Sequence, residues 1–178
     1  IFVRKNVSLL QIFVQINVAI SYKLVQKNVD MKRNVLSKLI DWKNKKNRKP
    51  LILNGARQVG KTYILREFGS QCYEKMAYVN CDKNKMLEKI FSQDYNISRI
   101  LLSLSAILHV NIEPGNTLII FDEIQESPTV LNSLKYFCED APQYHVAVAG
   151  SLPGISLHNN TSFPVGKVDM IEMYPMIF

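Results

Sequence analysis

The chain predicts an α/β fold built on a mainly parallel, five-stranded sheet. Three observations carry that prediction. From Pro50 onward, short apolar runs alternate with helical stretches. A glycine-bounded loop ending in Lys61-Thr62 lies between the first run and the first helix. The run Leu118-Ile119-Ile120-Phe121 is apolar without interruption, as in a central strand covered on both faces, and ends in two acids.

Taken in order, residues 1–30 are an uneven start. Val7 to Ile20 is largely apolar behind Arg4 and Lys5, but Gln11, Gln15 and Asn17 interrupt it and no small-residue cleavage site follows. It is too short and too polar for a membrane span. The first Met is Met31, where a one-sided stripe begins (Met31, Val35, Leu36, Leu39, Ile40), so residues 1–30 are expected to be a non-native or disordered extension and Met31 the natural start. Residues 31–49 then read as a helix and basic linker, and 50–178 as the core domain. Within it, Pro50 to Asn54 is the first strand, Lys61 to Phe68 a helix stopped by Gly69, and Met76 to Cys81 the second strand with Asp82 at its end. Short and longer helices follow at Leu87–Phe91 and Ile97–Val110, then a turn at Glu113-Pro114-Gly115-Asn116. Thr117–Phe121 is the third strand. Ser127-Pro128 supplies an N-cap and first-turn proline for a helix through Glu139. Tyr144–Ala149 is the fourth strand, Leu152 to Pro164 a loop, and Val168–Tyr174 an alternating fifth strand.

Length and composition allow one core of ordinary size: 178 residues, 47% hydrophobic and 21% charged. Charge is split. Residues 1–49 carry twelve Lys and Arg against Asp30 and Asp41, so a flank of +10 joins a body of −3. The densest part, Lys43 to Lys49, reads either as a solvated helix end and linker or as a contact for nucleic acid. Cys72, Cys81 and Cys138 are widely spaced, with no C-x-x-C pair and no Cys/His metal spacing, and are expected reduced in a cytoplasmic protein. His109, His145 and His158 form no visible ligand set.

Gly55-Ala56-Arg57-Gln58-Val59-Gly60-Lys61-Thr62 fits G-x-x-x-x-G-K-[ST], the phosphate-binding P-loop. Its glycines let successive backbone N–H groups turn inward, and the following helix start adds a positive dipole end. Lys61 would meet the β- and γ-phosphates, and the Thr62 hydroxyl would ligate Mg²⁺. An ordinary glycine turn leaves Lys-Thr at the helix start unexplained. The strand ending Asp122-Glu123 is expected beside the P-loop strand, which puts Asp122 at Mg²⁺ and Glu123 in place as general base for an attacking water. Two adjacent acids there fit hydrolysis better than transfer to an acceptor. Ser151, at the next strand's end, would sit between that water and the γ-phosphate. Gln125 would help place the water or contact a partner, and Arg57 would reach phosphate or a neighbouring loop.

These motifs, with Ala149-Gly150-Ser151 and Ser162-Phe163-Pro164-Val165-Gly166-Lys167-Val168 followed by Met173-Tyr174-Pro175-Met176, resemble a family of prokaryotic AAA-superfamily ATP-binding proteins. In that family an AAA domain precedes a C-terminal domain of unknown function. The resemblance spans Met31 to Phe178 and implies a three-layer, additional-strand P-loop NTPase core (AAA/RecA-like) with a sensor at Ser151. It also implies a continuation through a helical lid and a second domain, so a truncated chain with its lid missing is expected. Ala149 and Lys167 depart from the residues common at their positions. Arg66 and Arg99 are candidates for an arginine finger by charge only.

The expected activity is that of an ATPase: ATP and water to ADP and phosphate with Mg²⁺. A non-catalytic nucleotide-binding fragment and an ATP-dependent nucleic-acid module are the other readings. ATP is the expected ligand; homo-oligomer formation and nucleic acid stay open, and no membrane partner is expected.

Overall fold

The computed structural model describes residues 9–151 and 164–174. Five strands form one parallel sheet: β1 (Leu51–Gly55), β2 (Lys75–Asn80), β3 (Thr117–Asp122), β4 (His145–Gly150) and β5 (Asp169–Met173), in the spatial order β2-β3-β4-β1-β5. The helices are α1 (Leu9–Asn44), α2 (Lys61–Cys72), α3 (Lys85–Phe91), α4 (Ile97–Leu108) and α5 (Pro128–Asp140).

Alternation along each strand builds the three layers. Leu51, Leu53, Leu118, Ile120, Ala147 and Ala149 face one side and pack with Val35, Leu39 and Trp42 of α1 and Ile64, Leu65 and Phe68 of α2. Ile52, Ile119, Phe121, Val146 and Val148 face the other and pack with α3, α4 and α5. Both faces are covered, so every residue of β3 and β4 is buried and the runs need no polar alternation. Edge strand β5 keeps the alternating pattern.

Four local expectations change. The acidic strand β3 does not lie beside the P-loop strand: β4 is inserted between them, pairing Ile52 with Val148 and Ile119 with Val146. Gly69 does not stop α2, which runs on to Cys72. It lies buried inside the helix, where an added Cβ would come within 2.7 Å of Met76 Sδ. Gly69 is therefore a packing residue, and Tyr73 makes the cap by donating its N–H to Gly69 O. Ser127 stands at the α5 N-cap position, but its side chain makes no cap bond, its hydroxyl lying 3.3 Å from Thr129 Oγ1. Finally, one helix crosses Met31 without a break. Residues 14–21 of α1 are exposed, while Val35, Leu39 and Trp42 anchor its last turns. The expected loop at Leu152 to Pro164 lies, but for Pro164, outside the described residues.

Four side chains of the basic run bond back onto the protein while the run stays half-buried to exposed. Lys43 Nζ donates to Cys72 O, Lys45 pairs with Asp169 at 2.7 Å, Arg48 donates to Pro142 O at 2.8 Å, and Lys49 Nζ to Gly166 O at 2.6 Å. Trp42 Nε1 closes the segment on Lys49 O at 2.8 Å. These donors fasten the end of α1 and the segment after it to α2, to β5 and to two loops.

Candidate nucleotide site

The site forms at the C-terminal ends of β1, β3 and β4. Between β1 and α2 the chain must reverse in five residues, and Gly60 does so at φ +89°, a left-handed conformation that strains any residue with a Cβ. Gln58 is also left-handed, at φ 65°. Lys61 opens α2 with its side chain folded across the loop: Nζ donates to Gly55 O at 2.8 Å and Ala56 O at 2.7 Å. Burial lowers the Lys61 pKa, while Glu123 and Asp122 work to raise it and Arg57 to lower it.

Thr62 comes next on the helix, and its Oγ1 donates to Asp122 Oδ2 at 2.7 Å. The bond spans the strand inserted between the two motifs. Asp122 is nearly fully buried and held from further sides: Tyr78 OH donates to the same Oδ2 at 2.8 Å, and the Glu123 N–H to Oδ1 at 3.0 Å. Burial, then the bond to Asp122, raises the Tyr78 pKa, so the phenol remains a donor. The Arg66 guanidinium lies 3.9 Å from the centroid of the Tyr78 ring. Nearby Cys81 has its thiol pushed up to about 12, by burial and then by Asp122 and Glu123.

Glu123 has a left-handed backbone, φ 52°, unusual for a residue with a side chain. It begins a 3-10 turn, Ile124–Glu126, and its Oε2 accepts from Gln125 Nε2. Glu123 lines a cleft of about 400 Å³ with Arg57, Gln58, Asn80, Asp82 and Glu126. A second cleft, of about 500 Å³, lies on the other side of the loop, between Asn54–Arg57, Ser151 and Glu172–Tyr174. A larger hollow of about 560 Å³ lies along α4 and the α5–β4 turn and contains none of the motif residues.

The structure thus brings Lys61, Thr62, Asp122 and Glu123 together, with Ser151 across the loop beside Gly55, Ala56 and Arg57. Arg99 is committed elsewhere, to Asp94 and Ile90 O, and closes the α3–α4 turn. Tyr78 was missed by sequence reasoning: nothing in Met76-Ala77-Tyr78-Val79 marks it until β2 is paired with β3, with Asn80 opposite Asp122.

A family model described as an AAA domain matches residues 47–178. The chain belongs to the AAA domain family. Its match begins just before β1 and includes every residue of the site above. Among solved structures, this AAA domain is similar to the Walker-type ATPase PABY2304 of Pyrococcus abyssi, at 16% identity and a TM-score of 0.49. That alignment covers 83% of this chain and 53% of the other, so the chain spans about half that structure's length. No curated protein matches the chain.

The donor set fits Mg²⁺. A hydroxyl and a carboxylate oxygen, both hard ligands, converge at the start of α2. Among the described residues no group of three or more His, Cys, Asp or Glu could hold a metal. No helix of the described residues is long and apolar enough to cross a membrane.

Proposed function

We propose that this AAA domain binds ATP with Mg²⁺ and hydrolyses it to ADP and phosphate. One observation carries the reading: the 2.7 Å bond between Thr62 and Asp122, with Lys61 and Glu123 beside it. Two sequence motifs 60 residues apart meet there, which supports a reading as a site for phosphoryl transfer to water.

The loop from Gly55 to Thr62 receives the phosphates through its backbone N–H groups. Lys61 exchanges its two loop carbonyls for phosphate oxygens and keeps its positive charge beside the γ-phosphoryl group. Its lowered pKa comes from burial, and phosphate reverses that tendency. Thr62 Oγ1 and Asp122 Oδ2 would hold Mg²⁺, which supplies charge neutralisation between the β- and γ-phosphates. Glu123 accepts a proton from water on the cleft side, and Ser151 borders the γ-phosphate from the end of β4. Three unpaired thiols fit a cytoplasmic setting.

Glu123→Gln is expected to leave ATP affinity within about twofold and to lower turnover by about 10²-fold or more, the range for loss of a general base. Lys61→Ala is expected to weaken both binding and turnover. Phosphate release and equilibrium binding of a fluorescent ATP analogue, measured on the same preparations, check this. Turnover in Glu123→Gln equal to the parent's would remove Glu123 as the base.

A further inference from the structure

The Gln125 side chain is buried at the site, with 5% of its surface exposed, and has no part in the reaction written above. A buried primary amide must satisfy both of its ends. Here Nε2 donates to Glu123 Oε2, and Oε1 accepts the Ser151 N–H at 3.4 Å. The amide is planar, so the two bonds cannot turn independently. The end of β4 is also pressed against this group: a Cβ on Gly150 would lie 2.9 Å from Gln125 Oε1 and 2.5 Å from Ile124 Cγ2. The Glu123 main chain is fixed in turn by its left-handed φ and by the Glu126 N–H bond to Glu123 O at 2.9 Å. That leaves the Glu123 carboxylate as the adjustable part, and Gln125 holds it.

We propose that Gln125 is a positioning residue for Glu123, coupling the direction of its carboxylate to the end of β4 at Ser151. The consequence for turnover rests on the hydrolytic reading; the coupling itself does not. Ser151 borders the space assigned to the γ-phosphate, so a displacement there rotates the amide and moves the carboxylate toward or away from the water. Side-chain length matters: an Asn at this position is one methylene short of reaching both partners.

Two measurements test this on the full chain. In ¹⁵N NMR spectra, the Gln125 side-chain amide (assigned by its absence in Gln125→Met) and the Ser151 backbone amide are both expected to shift in Glu123→Ala. Ser151 has no direct bond to Glu123 among the contacts above, so its shift reads the relay. An unmoved Ser151 signal overturns the coupling. In turnover assays, Gln125→Met is expected to lower kcat by about tenfold or more while Mg-ATP affinity stays within about twofold. In a Glu123→Gln background the same change is expected to cost nothing further, because Gln125 acts through Glu123. Gln125→Glu keeps the acceptor for Ser151 but sets a second carboxylate against Glu123, so it is expected to fold and to lose kcat as well. Parental kcat in Gln125→Met and Gln125→Glu, or an additional loss in the double variant, overturns the positioning role. If the parent chain binds ATP without turning over, the hydrolytic reading falls, and the Ser151 shift alone upholds or overturns the coupling.

Discussion

The Asp122 carboxylate is held by three hydrogen bonds. Two hydroxyls, from Thr62 and Tyr78, converge on Oδ2, and a backbone N–H holds Oδ1. Thr62 would turn from Asp122 toward the ion, whereas Tyr78 would keep its bond and orient the carboxylate. Tyr78→Phe is therefore expected to raise the Mg²⁺ concentration needed for half-maximal ATP binding by about tenfold. Nucleotide affinity measured in EDTA should not change, and a titration of the fluorescent analogue with and without Mg²⁺ separates the two. An unchanged Mg²⁺ requirement would leave Tyr78 a packing residue. The spacing of Lys61, Thr62, Asp122 and Glu123 was legible because each belongs to a motif read along the chain. Tyr78 was not, because its partner lies 44 residues away and is chosen by strand pairing.

At the scale of elements, α1, α2 and β4 are joined by an aromatic cluster below the sheet. Trp42 meets Phe68 at 6.2 Å and His145 at 6.1 Å, and Tyr73 meets His145 at 5.3 Å, ring centroid to centroid. The contact of Tyr73 OH with His145 Nδ1 is 2.7 Å. Burial, then Arg48 and Lys43, lowers the His145 pKa from 6.5 to about 4, so the ring is neutral near pH 7 and shares a hydrogen bond with the phenol. The unfolded chain binds a proton at His145 below about pH 6.5, and the folded chain only near pH 4. Stability from this residue is thus complete above pH 6.5 and falls as pH drops from 6.5 to about 4. After allowance for solvent screening the loss is about 1–2 kcal/mol. Urea unfolding at pH 7.5 and pH 4.5 is expected to show it, and His145→Phe to flatten that part of the pH dependence. In the sequence His145 was one of three scattered histidines, and only the return of β4 to the centre of the sheet gave it neighbours.

For the whole molecule, the order β2-β3-β4-β1-β5 places the site where three strand ends and the start of α2 meet. A ligand bound there touches both halves of the sheet, so binding and global stability are linked. With Mg-ATP at about 100 times its Kd, the folded state gains about 2.7 kcal/mol. For a chain of this size that is a rise in Tm of roughly 5–10 °C. Glu123→Gln is expected to show the same rise and Lys61→Ala little of it, by thermal unfolding with and without Mg-ATP. Equal rises in all three chains would place the ligand away from the P-loop.

The sequence alone determined the five strands to within a residue or two and the place of the Gly55–Thr62 loop between β1 and α2. Apolar runs and a glycine-Lys-Thr spacing are local signals, written in consecutive residues. It also determined that β3 is central, since only a strand covered on both faces can carry Leu118-Ile119-Ile120-Phe121 unbroken. It did not place β4 between β1 and β3, because which parallel strands pair depends on how the crossover helices pack. Nor did it reveal that Gly69 packs against Met76, that Lys43, Lys45, Arg48 and Lys49 bond to Cys72, Asp169, Pro142 and Gly166, or that Gln125 spans Glu123 and Ser151. Each of those pairs residues far apart in the chain or aims a side chain across a turn, and only the closed tertiary structure brings the two ends together.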